Sequence, residues 1–140
     1  MNISAKTDYA CKALFELALH WPKKDPLAIN TIAKNQGIPL KFLTHILIQL
    51  KAMGLVESVR GQHGGYLLAR PPKEITVRDA VYGFAHSQVK PRKANLKEQH
   101  ILSAIWEEAE EEFLNYIGKI SFEHINDRER KRGKVPMYTI

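Results

Sequence analysis

The sequence predicts a mainly α-helical fold with one small β-hairpin and a long helix near its C-terminal end. Three observations predict it. Apolar residues recur at helical spacing in several separate stretches. A single glycine-rich run, Arg60-Gly61-Gln62-His63-Gly64-Gly65, separates two short strand-like segments. Residues 98–120 then carry an apolar stripe of unusual length for a chain of 140 residues.

The first helix is expected over Thr7 to Trp21, with Ala10, Ala13, Leu14, Leu17, Ala18 and Trp21 on one stripe. Pro22 and Pro26 end it and open a loop. Asn30 or Thr31 is the expected cap of a short second helix holding Ile32 and Ala33, and Gly37 stops it. A third helix follows from about Leu40 to Met53, with a stripe of Phe42, Leu43, Ile46, Leu47, Leu50 and Met53. Helix, glycine-containing turn and helix in that order form a helix-turn-helix candidate.

Leu55 to Val59 reads as a strand and Tyr66 to Ala69 as its return. The glycines between them permit a tight turn. A hairpin directly after the third helix is the winged-helix layout. Pro71-Pro72 breaks the chain, and Thr76-Val77-Arg78-Asp79 resembles a capping box that opens a fourth helix through about Phe84. Residues 87–97 are cationic and proline-bearing, as in a linker.

The long helix is expected from about Glu98 to Ile120. Ile101, Leu102, Ile105, Ala109, Phe113, Leu114, Ile117 and Ile120 share one face, too apolar to stand alone in water. A partner helix from a second copy would cover it. Ser121 caps a short last helix, Phe122 to Ile125. A polar tail follows from Asp127. The expected organisation is therefore a winged helix-turn-helix over 1–84, a linker over 85–97, a dimerisation helix and short terminal helix over 98–126, and the tail over 127–140.

The formal net charge of +6 is unevenly placed. Residues 1–90 hold 12 Lys and Arg against 6 Asp and Glu, whereas residues 91–140 hold 9 against 9. All the excess positive charge thus lies in the part with the helix-turn-helix, as a polyanion-binding module requires. Cys11 is the single cysteine, so no internal disulfide forms. No signal-peptide run and no span of 18 apolar residues occur, and a cytoplasmic location without membrane contact is the expectation.

The third helix suits a major groove, with Lys41, Thr44 and His45 near its N-terminal end and Ile48 and Gln49 one turn on. Lys41 suits phosphate or guanine, Thr44 phosphate or a thymine methyl, and Gln49 adenine. Arg60 stands where a wing leaves its first strand, placed to enter a minor groove. Gly61, Gly64 and Gly65 would let backbone approach phosphate. The glycine run precedes a strand and lacks the Lys-Ser/Thr of a P-loop, which excludes that reading. No nucleophile elbow, HExxH or Walker motif is present, so an enzyme is not expected. The six histidines form no i, i+4 pair and read as surface or groove-facing residues rather than a metal site.

The chain to about residue 83 resembles the Rrf-two family of bacterial winged-helix transcription regulators. The resemblance rests on Ser4-Ala5-Lys6-Thr7-Asp8-Tyr9-Ala10, Ile32-Ala33 and Gly37-Ile38-Pro39-Leu40-Lys41-Phe42-Leu43. It is strongest over Gly54-Leu55-Val56-Glu57-Ser58-Val59-Arg60-Gly61 and Gly64-Gly65-Tyr66, followed by Ala69-Arg70-Pro71 and Ile75-Thr76. Trp106 in the long helix and Ile120-Ser121 extend it to about 120 residues. The resemblance implies a homodimer on a palindromic operator, as repressor or activator, joined through the long helix and touching DNA with the third helix and Arg60.

One departure matters. Cluster-binding members of that family carry three cysteines before the long helix, and residues 84–105 here contain none. Thiolates hold iron–sulfur clusters, and His86 and His100 cannot replace three of them. No cofactor is expected, and the signal would be an unknown small molecule, a protein effector or Cys11 oxidation. Cys11 itself reads as a partly buried structural residue. The alternative function is a winged-helix protein–protein module without DNA readout.

Overall fold

The computed structural model describes residues 3–22, 25–86 and 100–137, with side chains through residue 84 and over 100–133. The first helix, α1 (Ala5–Leu19), is capped by Ser4, whose Oγ accepts the Thr7 N–H at 3.1 Å. Its stripe of Ala10, Ala13, Leu14, Leu17 and Ala18 is buried against the rest of the fold. Small residues at 10, 13 and 18 let neighbouring helices come close. Trp21 departs from the expected stripe, because α1 ends at Leu19 and the indole lies beyond it, exposed.

Helix α2 (Ile29–Gln36) starts just ahead of the expected Asn30 or Thr31 cap, with Ala28 in the cap position and no side-chain cap bond. The entry is set elsewhere. Leu27 N–H donates to the Tyr66 carbonyl at 2.9 Å, and Tyr66 N–H returns a bond to Leu27 at 2.8 Å. That pair pins the chain before α2 to the hairpin, so a long-range contact overrides the local capping signal. Helix α3 (Leu40–Ala52) buries Leu43, Ile46, Leu47 and Leu50. Phe42, expected in its buried stripe, is exposed and stacks on Tyr9 with ring centroids 6.5 Å apart.

Strands β1 (Val56–Val59) and β2 (Gly65–Leu68) pair antiparallel, from Val56 opposite Leu68 at the foot to Val59 opposite Gly65 near the tip. The Pro71-Pro72 break is followed by a short 3-10 turn, Pro72–Glu74. The capping box forms as expected at the start of α4 (Val77–His86). Thr76 N–H donates to Asp79 Oδ2 at 2.9 Å, and Asp79 N–H donates to Thr76 Oγ1 at 3.2 Å.

Helix α5 (Ile101–Gly118) is followed by α6 (Phe122–Met137). The turn between them is tied to the start of α4, since Val77 N–H donates to Ile120 and Phe122 N–H to Ile75, both at 2.9 Å. Phe122 sits fully buried in the core beside α1 and α4.

The short last helix and polar tail expected at the C-terminal end need correction. The last helix does not stop at Ile125 but continues to Met137. Asp127 to Lys134 is polar yet rich in helix-forming Arg, Lys and Glu. Arg130 pairs with Asp127 and Arg132 with Glu129, both at i, i+3 spacing along the helix. Phe122 anchors its first turn by burial. The expected linker over 85–97 lies outside the described residues from position 87 on, as do Glu98 and residues 138–140.

Candidate nucleic-acid interface

Helix α2 is locked to α1 by a buried acid that sequence reasoning missed. Glu16 is buried in the middle of α1. Its Oε1 accepts from Asn35 Nδ2 at 2.6 Å and its Oε2 from Gln36 Nε2 at 2.7 Å. His20 Nε2 lies 3.6 Å from Oε1 on the exposed side. A buried carboxylate is tolerable only when its oxygens are met by donors. Here the donors come from the last turn of α2, so Glu16 fixes the angle at which the helix-turn-helix leaves α1. The sequence signal was a Glu inside an otherwise apolar stripe.

The exposed face of α3 presents Lys41, Thr44, His45 and Ile48. Thr44 Oγ1 donates back to the Leu40 carbonyl at 3.0 Å. The hydroxyl proton is engaged within the helix, while the oxygen can still accept and the methyl group remains for apolar contact. Lys41 Nζ lies 5.0 Å from the centre of the Phe42 ring, so the exposed aromatic steadies the cation. Gln49 differs from its expectation. It is half-buried, and its Oε1 is shielded from solvent without a hydrogen-bond partner among the described residues. Adenine reading would require that side chain to turn outward, whereas Ile48 is already 56% exposed.

The hairpin leads Arg60 and Gly61 to an exposed tip. Gly61 has φ +119°, a conformation that side-chain-bearing residues rarely adopt. Gly64 and Gly65, expected to admit phosphate, line the groove at the hairpin tip and are also required by local packing. A Cβ on Gly65 would collide with the Leu27 carbonyl, and one on Gly64 with the Val59 carbonyl. Lys51 Nζ donates to Ser58 Oγ at 2.7 Å and so ties the end of α3 to the first strand.

These elements converge. A groove of about 580 Å³ is lined by Ile48 and Lys51 of α3, by Ser58, Arg60 and Gly61 of the hairpin, and by Ile29 at the start of α2. Two cations border it, and backbone amides at the start of α2 have no intrahelical acceptor. The arrangement suits a polyanion backbone.

Cys11 is half-buried on α1, and its thiol is pushed up to about 12, first by burial and then by the Asp8 carboxylate. Such a thiol is protonated at neutral pH and a poor nucleophile or metal ligand. Among the described residues, no group of three or more His, Cys, Asp or Glu side chains could hold a metal ion. His100 caps α5, its Nδ1 accepting the Leu102 N–H at 3.2 Å, and the side chain of His86 lies outside the description. No helix among the described residues is long and apolar enough to cross a membrane.

A helix-turn-helix followed by a hairpin with Arg60 at its tip, carried on a mainly helical frame, defines a winged-helix DNA-binding regulator. The chain belongs to the Rrf2 family. The family model described as an iron-dependent transcriptional regulator matches residues 3–128. The chain is 30% identical over 135 residues to the transcriptional regulator IscR of Photorhabdus laumondii, covering 92% of this chain and 82% of that protein. It is 32% identical over 131 residues to IscR of Xenorhabdus nematophila, covering 89% and 79%. Among solved structures, IscR of T. potens superposes with a TM-score of 0.78 at 28% identity, covering 92% of this chain and 88% of that one. CymR, the global cysteine regulator of B. subtilis, shares the fold with a TM-score of 0.77 at 23% identity, covering 91% and 98%. The family and these relatives are transcription regulators, not enzymes.

Proposed function

We propose that the protein acts as a homodimer on a palindromic operator, with α3 in the major groove and Arg60 in the adjacent minor groove. One observation carries the reading: α3 and the hairpin tip border a single groove that holds Lys51 and Arg60. Lys41, Thr44 and His45 read the bases, and Thr44 does so through its methyl group. Gly61 shapes the turn, Gly64 lets it close against the Val59 carbonyl, Gly65 lets β2 approach Leu27 ahead of α2, and all three let backbone approach phosphate. Gln49, half-buried in the free chain, reaches adenine by turning outward.

The α5 helix supplies the dimer contact. Ile101, Leu102, Ile105 and Trp106 are between 45% and 70% exposed on one stretch of helix. Such a patch on a regulator with a two-fold operator calls for a second copy. The protein works in the bacterial cytoplasm, where its DNA is, and blocks transcription by occupying its site.

We further propose that it does so without an iron–sulfur cluster. The donor set does not fit one: a single cysteine exists in the chain, on α1, and its thiol is protonated. The input is then a small molecule or a protein effector.

The test is fluorescence anisotropy with genomic duplex fragments across a salt series. Affinity should fall steeply with salt, because each neutralised phosphate releases counterions. Arg60→Ala should weaken binding by roughly tenfold while leaving the melting temperature unchanged. Salt-insensitive binding, or none on any genomic fragment, would sink the proposal. Colourless, iron-free protein from anaerobic purification is expected, and a brown, iron-loaded sample would overturn the cluster-free reading.

A further inference from the structure

A second cleft, of about 400 Å³, opens at the foot of the hairpin. Met53 and Leu55 line its apolar part, and Arg70, Arg78, Asp79 and Tyr82 line the rest. It shares no residue with the groove at the wing tip. Its position sets it apart from the DNA-reading surface. Met53 is the C-cap of α3, whose 13 residues place it about 20 Å from the Lys41 end at 1.5 Å per residue. Arg70 follows β2 on the side where Leu68 pairs with Val56, at the opposite end of the hairpin from Arg60.

The charge balance of this cleft is one-sided. Asp79 is its single lining acid. One of its oxygens is already engaged by the Thr76 N–H in the capping box. Neither Arg70 nor Arg78 makes an ion pair among the described residues. Two guanidiniums beside an apolar floor match a small molecule that joins an oxyanion to a short hydrocarbon part, since each guanidinium can grip a planar oxyanion through two N–H bonds.

The walls belong to different parts of the machine. Met53 ends the reading helix, and Arg70 ends the hairpin. Arg78 lies on α4, and its stem passes against α5 at Gly118, where an added Cβ would come within 3.3 Å of its Cδ. A ligand held by both arginines therefore bridges the DNA-reading unit and the end of the long helix. We propose that this cleft is an effector site for a small organic oxyanion, a carboxylate or a phosphate, that sets the position of the reading unit relative to α5. Its effect on operator binding rests on the homodimer reading above, whereas ligand binding itself does not.

The experiment is calorimetric titration of the full chain with succinate and, separately, with inorganic phosphate, at constant ionic strength set by chloride. Saturable binding of at least one probe is expected, and which one binds identifies the source of the oxyanion. Arg70→Gln and Arg78→Gln should each weaken it by roughly tenfold, as losing one charge-assisted pair predicts. Arg78→Lys should retain part of it, and thermal melts of all variants should match the parent. Arg60→Ala should bind the probe like the parent, so a failure of DNA binding is distinguishable from a failure of this site. Absence of saturable binding by either probe overturns the proposal, as does binding that survives both glutamine substitutions. A loss of duplex affinity in the two glutamine variants without any anion binding would instead make the arginines DNA-phosphate contacts, and would also overturn it.

Discussion

Helices α1 and α5 are of similar length, 15 and 18 residues, yet they end in opposite states. In α1 the stripe Ala10, Ala13, Leu14, Leu17 and Ala18 is at most 3% exposed. In α5 only Ile117 is buried, while Trp106 is 66% exposed and Ile101 70%. Both helices show an apolar stripe at helical spacing. The first is covered by its own chain, whereas among the described residues most of the second stays exposed. A stripe therefore marks that a face will be covered, without saying which chain covers it.

The sharpest break of this comparison lies in α1. Leu14 is fully buried, so Leu14→Ala should destabilise the fold by about 2–5 kcal/mol, read by chemical denaturation. The matching change in α5, Ile105→Glu, should leave folding stability per chain nearly unchanged. In sedimentation it should leave a monomer where the proposed homodimer predicts a dimer for the parent, and weaken operator binding by roughly tenfold to a hundredfold. If Ile105→Glu unfolds the chain as Leu14→Ala does, the contrast between the two helices fails.

Cys11 gives a smaller effect on the same helix. Its thiol is raised from 9.0 to about 12 by burial and the Asp8 carboxylate. The folded protein thus holds the proton more tightly than the unfolded chain. The stability this contributes is fully present below pH 9 and is lost as pH rises from about 9 towards 12. Cys11→Ser should flatten that decline in melts across this range. In the parent at pH 8, thiol labelling should be slower than in the unfolded chain, because less thiolate is present. The smallest effect belongs to the exposed Lys12–Asp8 pair, 2.9 Å apart on the outer side of α1. Lys12→Ala should change stability by less than about 1 kcal/mol, and less again in high salt.

The helices, the hairpin and the order of elements were legible in the residues. Spacing showed α1, α3 and α5, and the Thr76–Asp79 box showed where α4 begins. The misread parts share one cause. The start of α2 follows the Leu27–Tyr66 backbone pair, which lies 39 positions apart in the chain. The carboxylate of Glu16 is read as a helix-linking clamp only once Asn35 and Gln36 stand beside it. Only the fold shows that the Val59 and Leu27 carbonyls occupy the space a Cβ would need at Gly64 and Gly65. At the C-terminal end, polarity alone does not distinguish a tail from a helix, and paired charges extend α6 to Met137.

Alone, the sequence determined the class of this protein. Periodicity, turn chemistry and the basic first two-thirds are local or summed properties, and they survive without coordinates. The same holds for the missing cysteines, because composition alone excludes three thiolates before α5. Tertiary structure decided the rest. It turned Gln49 half inward, engaged the Thr44 hydroxyl proton within its own helix, and gathered Arg70 and Arg78 around one cleft. Those outcomes depend on which distant residues meet, and no one-dimensional pattern encodes that meeting, because burial and hydrogen-bond partners are shared between segments that only the fold brings together.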